Sequence, residues 1–145
     1  MTIAQTTTPA LRIPAANRPI AILGSVAVSV AVNLVVWLIG EAAGGSFELV
    51  DRGVTTQVGA GTVISSAAIP LFVGMTLAAL ISYLWAGVLR VAQIVGGVLA
   101  VGTIGLTISA DFDTVTTVAL SVMHLVLAPV LVVGLEAMRR GLFAN

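Results

Sequence analysis

The chain of 145 residues contains no cysteine and no lysine, has a single histidine, and carries only 8% charged residues. Without cysteine there can be no disulfide, no thiolate metal site and no thiol redox chemistry. One histidine cannot form a multi-histidine metal site, and no basic cluster is larger than Arg139-Arg140. The sequence therefore predicts no metal, no cofactor and no nucleic-acid partner. Because no acidic residue is placed to orient the histidine, it also predicts that the chain is not an enzyme.

Apolar residues are abundant instead, at 59% of the chain with a mean hydropathy of +1.16. They are concentrated in four nearly unbroken runs, at about 20–40, 62–85, 91–109 and 114–136. A bilayer core of roughly 30 Å requires about 20 apolar residues in a helix, so each run is long enough to span. The sequence predicts an all-α integral membrane four-helix bundle of antiparallel up-down topology, with the lipid bilayer as its surroundings.

The first run follows Arg12 and Arg18, as the apolar part of a signal peptide would. It is longer than the usual signal core of about 7–15 residues, so we expect a retained span, with cleavage as the alternative. The segment before it is rich in threonine and proline, which predicts a flexible cytoplasmic tail over residues 1–18 and a four-span domain over 19–145.

Charge placement predicts the orientation. Five of the arginines flank one side of the spans and Arg52 alone lies on the other, with the acidic residues Glu41, Glu48, Asp51, Asp111 and Asp113. By the positive-inside rule, both termini and the central turn face the cytoplasm of a cell membrane. The alternative is that so few charges are distributed by chance.

The two connections on the acidic side differ in length. Residues 41–61 form a long, glycine-containing loop, which we expect to act as a cap or gate. The second connection, 110–113, is short enough for a tight helical hairpin, with Asp113 or Thr114 capping the last helix. A cation site at Asp111 and Asp113 is the alternative to capping.

Small residues recur at helical spacing in every span, which in a membrane favours close helix packing. The first span has Ala21, Ser25, Ser29 and Asn33, and the second has Ser66, Pro70, Gly74, Ala78 and Ser82. We expect these faces to point towards one another. A dimer contact on the third helix is the alternative.

Two polar side chains, Asn33 and His124, lie inside spans, where such groups are costly and tend to face the protein interior. At the helical rise they lie roughly 12 Å and 15 Å below the acidic side, and Pro70 lies at about 13 Å. As a proline, Pro70 leaves the carbonyl of Ser66 without its helical donor. The sequence predicts a polar pocket near the midplane, bounded by Asn33, Ser66, Pro70 and His124.

This pocket has a structural and a functional interpretation. Asn33 and His124 could hydrogen-bond each other and join two helices, contributing about 0.6–2 kcal/mol. Alternatively, His124 could exchange protons or contact a ligand, since an imidazole can change its charge near neutral pH.

Several short motifs point to a family. They are Val32-Asn33-Leu34, Ala42-Ala43-Gly44, Ser46-Phe47 and Met123-His124-Leu125. With them the chain resembles small four-span bacterial proteins of high-GC Gram-positive genomes, grouped as domain of unknown function 6069. The resemblance implies the fold from Pro19 onward and implies no activity.

We therefore expect a small multi-pass membrane protein acting as a structural or accessory subunit, in a homo-oligomer or a larger membrane complex. The alternative is a small oligomeric transporter or channel that uses Asn33 and His124. Small multidrug exporters depend on a membrane-buried glutamate in the first span, and this span has none before Glu41.

Overall fold

A computed structural model describes residues 13–51 and 53–143. These residues form four helices, α1 (Arg18–Ala42), α2 (Ala60–Ile81), α3 (Val88–Ser109) and α4 (Thr114–Leu142). Each helix is long and apolar enough to cross a membrane, which confirms the prediction of four packed, membrane-length helices. The boundaries differ most at three places, because α2 ends at Ile81 instead of 85, α3 begins at Val88 instead of 91, and α4 continues beyond 136 to Leu142. Arg12 and Arg52, and the predicted tail before residue 13, lie outside the described residues.

Side-chain caps set the beginning of α1 and α4. Asn17 accepts a hydrogen bond from the Ile20 N–H at 3.0 Å, and Pro19 occupies the first turn of α1, where its missing N–H is not needed. Asp113 accepts one from the Thr116 N–H at 2.9 Å. Capping by Asp113, the main expectation for this residue, is therefore observed.

Helices α1 and α3 both pack mainly against α4, while α2 packs mainly against α1. Gly134 marks a close approach of three helices, since a Cβ added there would collide with Ser25 on α1 and with Met75 on α2. The predicted packing face of α1 is confirmed, with Ser25, Ser29 and Asn33 all buried.

The predicted packing face of α2 is wrong over most of its length. Ser66, Pro70 and Gly74 are exposed, and the buried residues are Val63, Ala67, Leu71, Met75, Ala78 and Ala79. The larger Leu71 and Met75 side chains fill the core, and the small residues line a groove between α2 and α3. In a helix that is apolar all round, small-residue spacing alone does not identify the packing face.

The long connection after α1 contains two short strands that the sequence did not predict. Strand β1 (Glu48–Asp51) pairs antiparallel with β2 (Val54–Gln57), with Glu48 opposite Gln57. Gly53 has a φ of 81°, a left-handed conformation that suits glycine in a tight turn. We call the end of the bundle that carries these strands the hairpin end, and the opposite end, with Arg18 and Arg139, the terminal end.

The hairpin is anchored by Phe47, which is fully buried and has a φ of 51°. Its N–H donates to Thr116 Oγ1 at 3.0 Å, and its ring meets the Trp37 ring edge-on at 6.3 Å between centroids. The Trp37 Nε1–H donates to the Val58 carbonyl at 3.1 Å. These contacts join the hairpin to α1 and α4. The hairpin therefore lies over this end of the bundle.

Candidate functional site

A cavity of about 270 Å³ lies beneath the hairpin and has walls from all four helices. We call it the polar cavity. Asn33, Ser66 and His124 line it, together with Val58, Thr62, Val63, Ala67, Thr107, Phe112, Leu120, Met123 and Leu127. Three of the four residues predicted from the sequence are thus on the wall of one cavity.

Asn33 is a buried residue of this wall with an incomplete set of hydrogen bonds. Its side chain is 2% exposed, and its Nδ2 donates to Ser29 Oγ at the long distance of 3.4 Å. Its Oδ1 is buried and has no hydrogen-bond partner among the described residues. Leaving a buried acceptor unpaired costs about 1–3 kcal/mol, so a donor that reached this oxygen would bind favourably.

His124 is partly buried, and its Nδ1 lies 2.8 Å from the Leu120 carbonyl of its own helix. A carbonyl oxygen only accepts, so this contact places a hydrogen on Nδ1. In the neutral imidazole, Nε2 then carries a lone pair and can accept a hydrogen bond. His124 and Asn33 do not bond each other, since each has its hydrogen bond within its own helix. The interhelical bond between them, which the sequence allowed, does not form.

A second and larger cavity, of about 430 Å³, separates α2 from α3. We call it the groove. Pro70 and Gly74 of α2 line it on one side, and Gly96 and Thr103 of α3 line it on the other. Ser66, His124 and Leu127 line both the groove and the polar cavity. Pro70, the fourth predicted residue, therefore lines the groove with His124 and does not line the polar cavity with Asn33.

Among the acidic residues of the hairpin end, Asp113 has several hydrogen bonds. Asp113 Oδ2 accepts hydrogen bonds from the Ser46 N–H at 3.0 Å and from Ser46 Oγ at 2.7 Å. Hydrogen bonds from the Thr116 hydroxyl and N–H, and then from Ser46, hold the pKa of Asp113 well below its usual range. Asp113 thus ties the loop before β1 to the start of α4.

Glu41, Glu48 and Asp111 are exposed, and Asp51 ends β1. In the described part of the chain, no group of three acidic or histidine residues is close enough to hold a metal ion.

Glu136, which was not among the residues predicted from the sequence, forms the ion pairs of the terminal end. It pairs with Arg139 Nη2 at 2.8 Å and with Arg140 Nε at 3.0 Å, and Gln93 of α3 approaches it at 3.5 Å. The spacing of one glutamate three and four residues before two arginines is a helical ion-pair signal that could have identified it.

The terminal end has two further contacts that join distant parts of the chain. The Arg18 guanidinium lies 3.8 Å from the centre of the Tyr83 ring, and its Nε donates to Ser82 Oγ at 3.2 Å. The Ala16 N–H donates to the Ala137 carbonyl at 3.0 Å, which places the residues before α1 against α4.

Four packed helices of membrane length, with polar side chains turned into an internal cavity, are the features of a multi-pass membrane protein. The chain belongs to the family of unknown function DUF6069, whose model matches residues 14–141. This confirms the family resemblance found in the sequence. No match was found among curated proteins or among solved structures.

Proposed function

We propose that this protein is a transporter-like or channel-like protein of the cell membrane that binds a small uncharged molecule near the midplane, and that it is not an enzyme. The observation that carries the proposal is the buried Asn33 Oδ1, which lacks a partner on the wall of the same cavity as His124. Placing a polar side chain inside a membrane span is energetically unfavourable, so its presence favours a role beyond helix packing.

The arrangement of the two side chains supports ligand binding over helix joining. If Asn33 and His124 served to hold α1 and α4 together, they would be expected to bond each other, yet each bonds a group of its own helix. Each keeps an acceptor without a partner among the described residues, Oδ1 of Asn33 and Nε2 of His124. No acidic residue is among those that line the polar cavity, so the imidazole has no carboxylate to orient it for catalysis.

For the orientation, we propose that the terminal end, with both chain termini, faces the cytoplasm. Arg18, Arg139 and Arg140 gather at this end, and cytoplasmic positive charge is the general rule. An antiparallel up-down order is supported by contacts between the start of one helix and the end of the next. Arg18 donates to Ser82, and Gln93 approaches Glu136.

A second candidate function is a structural or accessory subunit in a homo-oligomer or a larger membrane complex. The specific observation that favours it is the exposure of α3, in which only Leu89 and Thr107 are buried within the described structure. A partner helix packed on the remaining surface would bury it.

Nuclear magnetic resonance of His124, the single histidine, tests the main proposal in protein reconstituted into lipid nanodiscs. Added 1-butanol should shift the imidazole signals reversibly and saturably. Asn33→Leu should abolish the shift, whereas Ala31→Leu, which adds the same side chain on the exposed face of α1, should preserve it. Imidazole signals that do not respond to butanol in the unmodified protein would overturn the proposal.

A further inference from the structure

The polar cavity and the groove adjoin each other and differ in chemical character. Because Ser66, His124 and Leu127 line both, a molecule could occupy both at once. Each volume, about 270 Å³ and about 430 Å³, is near or within the range typical of small-molecule sites. The structure thus has room for a ligand larger than the small molecule considered above.

The polar groups of the groove are confined to one end. Thr103 of α3 and His124 of α4 lie at the end next to the polar cavity, and Ala92 and Leu135 lie at the other. The contact of Gly96 with Leu131 fixes this pairing of α3 with α4. From His124 to Leu135 the groove runs about 16 Å at the helical rise. Beyond its polar end the lining is apolar, with Leu71, Val95, Leu99, Leu131 and Leu135.

The acceptors of the residues that line the polar cavity define the head of the ligand. Asn33 Oδ1 can only accept, and His124 Nε2 accepts when Nδ1 holds the hydrogen, so both require a donor. No charged residue is among the described residues that line either space. A charged head would remain uncompensated there, which is costly in the membrane interior. The head should therefore be a neutral group that donates, such as a hydroxyl.

Gly74 shows that the space between the helices is open on the α2 side. It lines the groove, and a Cβ added there would meet no atom within 4 Å. Consecutive helices α2 and α3 have few contacts with each other, so the groove lies at a seam that a lipid-soluble molecule could enter from the bilayer.

On these grounds we propose that the site takes a neutral, hydroxyl-bearing aliphatic molecule, which enters from the bilayer between α2 and α3. Its hydroxyl donates within the polar cavity and its chain occupies the groove. This inference rests on the proposed function and specifies its ligand class. The unpartnered Asn33 oxygen distinguishes this occupant from an ordinary lipid chain, which has no donor to offer at this depth.

The test uses 1-dodecanol as the probe, with dodecyl methyl ether and n-dodecane as matched compounds that cannot donate. In nanodiscs of the complete chain, dodecanol should shift the His124 signals saturably, and the ether and the alkane should not. Gly74→Leu, which fills the groove, should weaken the dodecanol response about tenfold or more. Gly102→Leu is the control, because Gly102 also has open space around it but lines neither cavity.

The outcomes separate this inference from the proposed function. If Gly74→Leu loses the dodecanol response but keeps the butanol response, both are supported. If dodecanol has no effect while butanol still shifts His124, the lipid-alcohol inference is overturned and the proposed function stands. A response to dodecane equal to that of dodecanol would show that a lipid chain alone fills the groove, which also overturns the inference. If neither alcohol has an effect, both fall.

Discussion

Gly40→Ala should loosen the hairpin from the helices, because Gly40 lies directly against the buried Phe47 ring. A Cβ at this position would be 2.7 Å from Phe47 Cζ and 3.0 Å from the Ala119 Cβ. The ring cannot move outwards freely, since Phe47 is fully buried and its N–H is held by Thr116. The substitution therefore overpacks a closed site.

The expected magnitude follows from two opposing effects. Alanine is favoured over glycine in a helix by about 1 kcal/mol, and overpacking typically costs about 1–3 kcal/mol. Gly40→Ala should thus lower the free energy of unfolding by up to about 2 kcal/mol. Gly24→Ala, in the same helix with no atom within 4 Å of the added Cβ, should instead raise it by up to about 1 kcal/mol.

The assay is equilibrium unfolding in mixed micelles, followed by the fluorescence of Trp37 in a Trp85→Phe background. Trp37 reports on the hairpin because it contacts Phe47 and donates to the Val58 carbonyl. Phe47→Leu replaces the ring by a shorter side chain and removes the clashing ring atoms. It should therefore partly restore the stability of Gly40→Ala in a double-mutant cycle. Equal stability of the Gly40→Ala and Gly24→Ala variants, with unchanged Trp37 emission, would refute the reasoning.

Three further predictions concern single polar groups. Asn33→Leu should raise the unfolding free energy by about 1 kcal/mol while removing ligand binding, because it replaces an unpaired buried oxygen. Thermal unfolding checks this prediction, and a marked loss of stability would contradict it. Asp113, whose pKa is lowered in the folded state, contributes stability above about pH 4 that is lost as the pH falls further. Unfolding measured from about pH 5 to about pH 3 should therefore show a steeper loss in the unmodified protein than in Asp113→Asn, and parallel curves would exclude the effect. Glu136→Gln should cost about 1 kcal/mol or less, with a smaller difference at about 1 M salt, and a salt-independent cost would argue against an ionic origin.

The sequence alone determined the features that depend on local pattern. Four apolar runs predict four membrane-length helices because only a helix satisfies its backbone hydrogen bonds within one segment. Capping by Asp113 was also predictable, since a cap needs only the residues next to it. The depth of Asn33 and His124 followed from the helical rise, and this is why both were expected near one layer.

Only the tertiary structure decided which faces meet. In a chain that is apolar all round, lipid and protein interior have the same polarity, so the sequence did not reveal that Ser66 and Gly74 line a groove instead of a helix contact. Likewise, the buried position of Phe47 depends on its contact with Thr116, which is far away in the chain. That the Asn33 oxygen lacks a partner is also decided by which residues pack around it. The shape of the cavity was set by where large side chains such as Met75 fill the core and where small ones leave space, which is a property of the packed bundle.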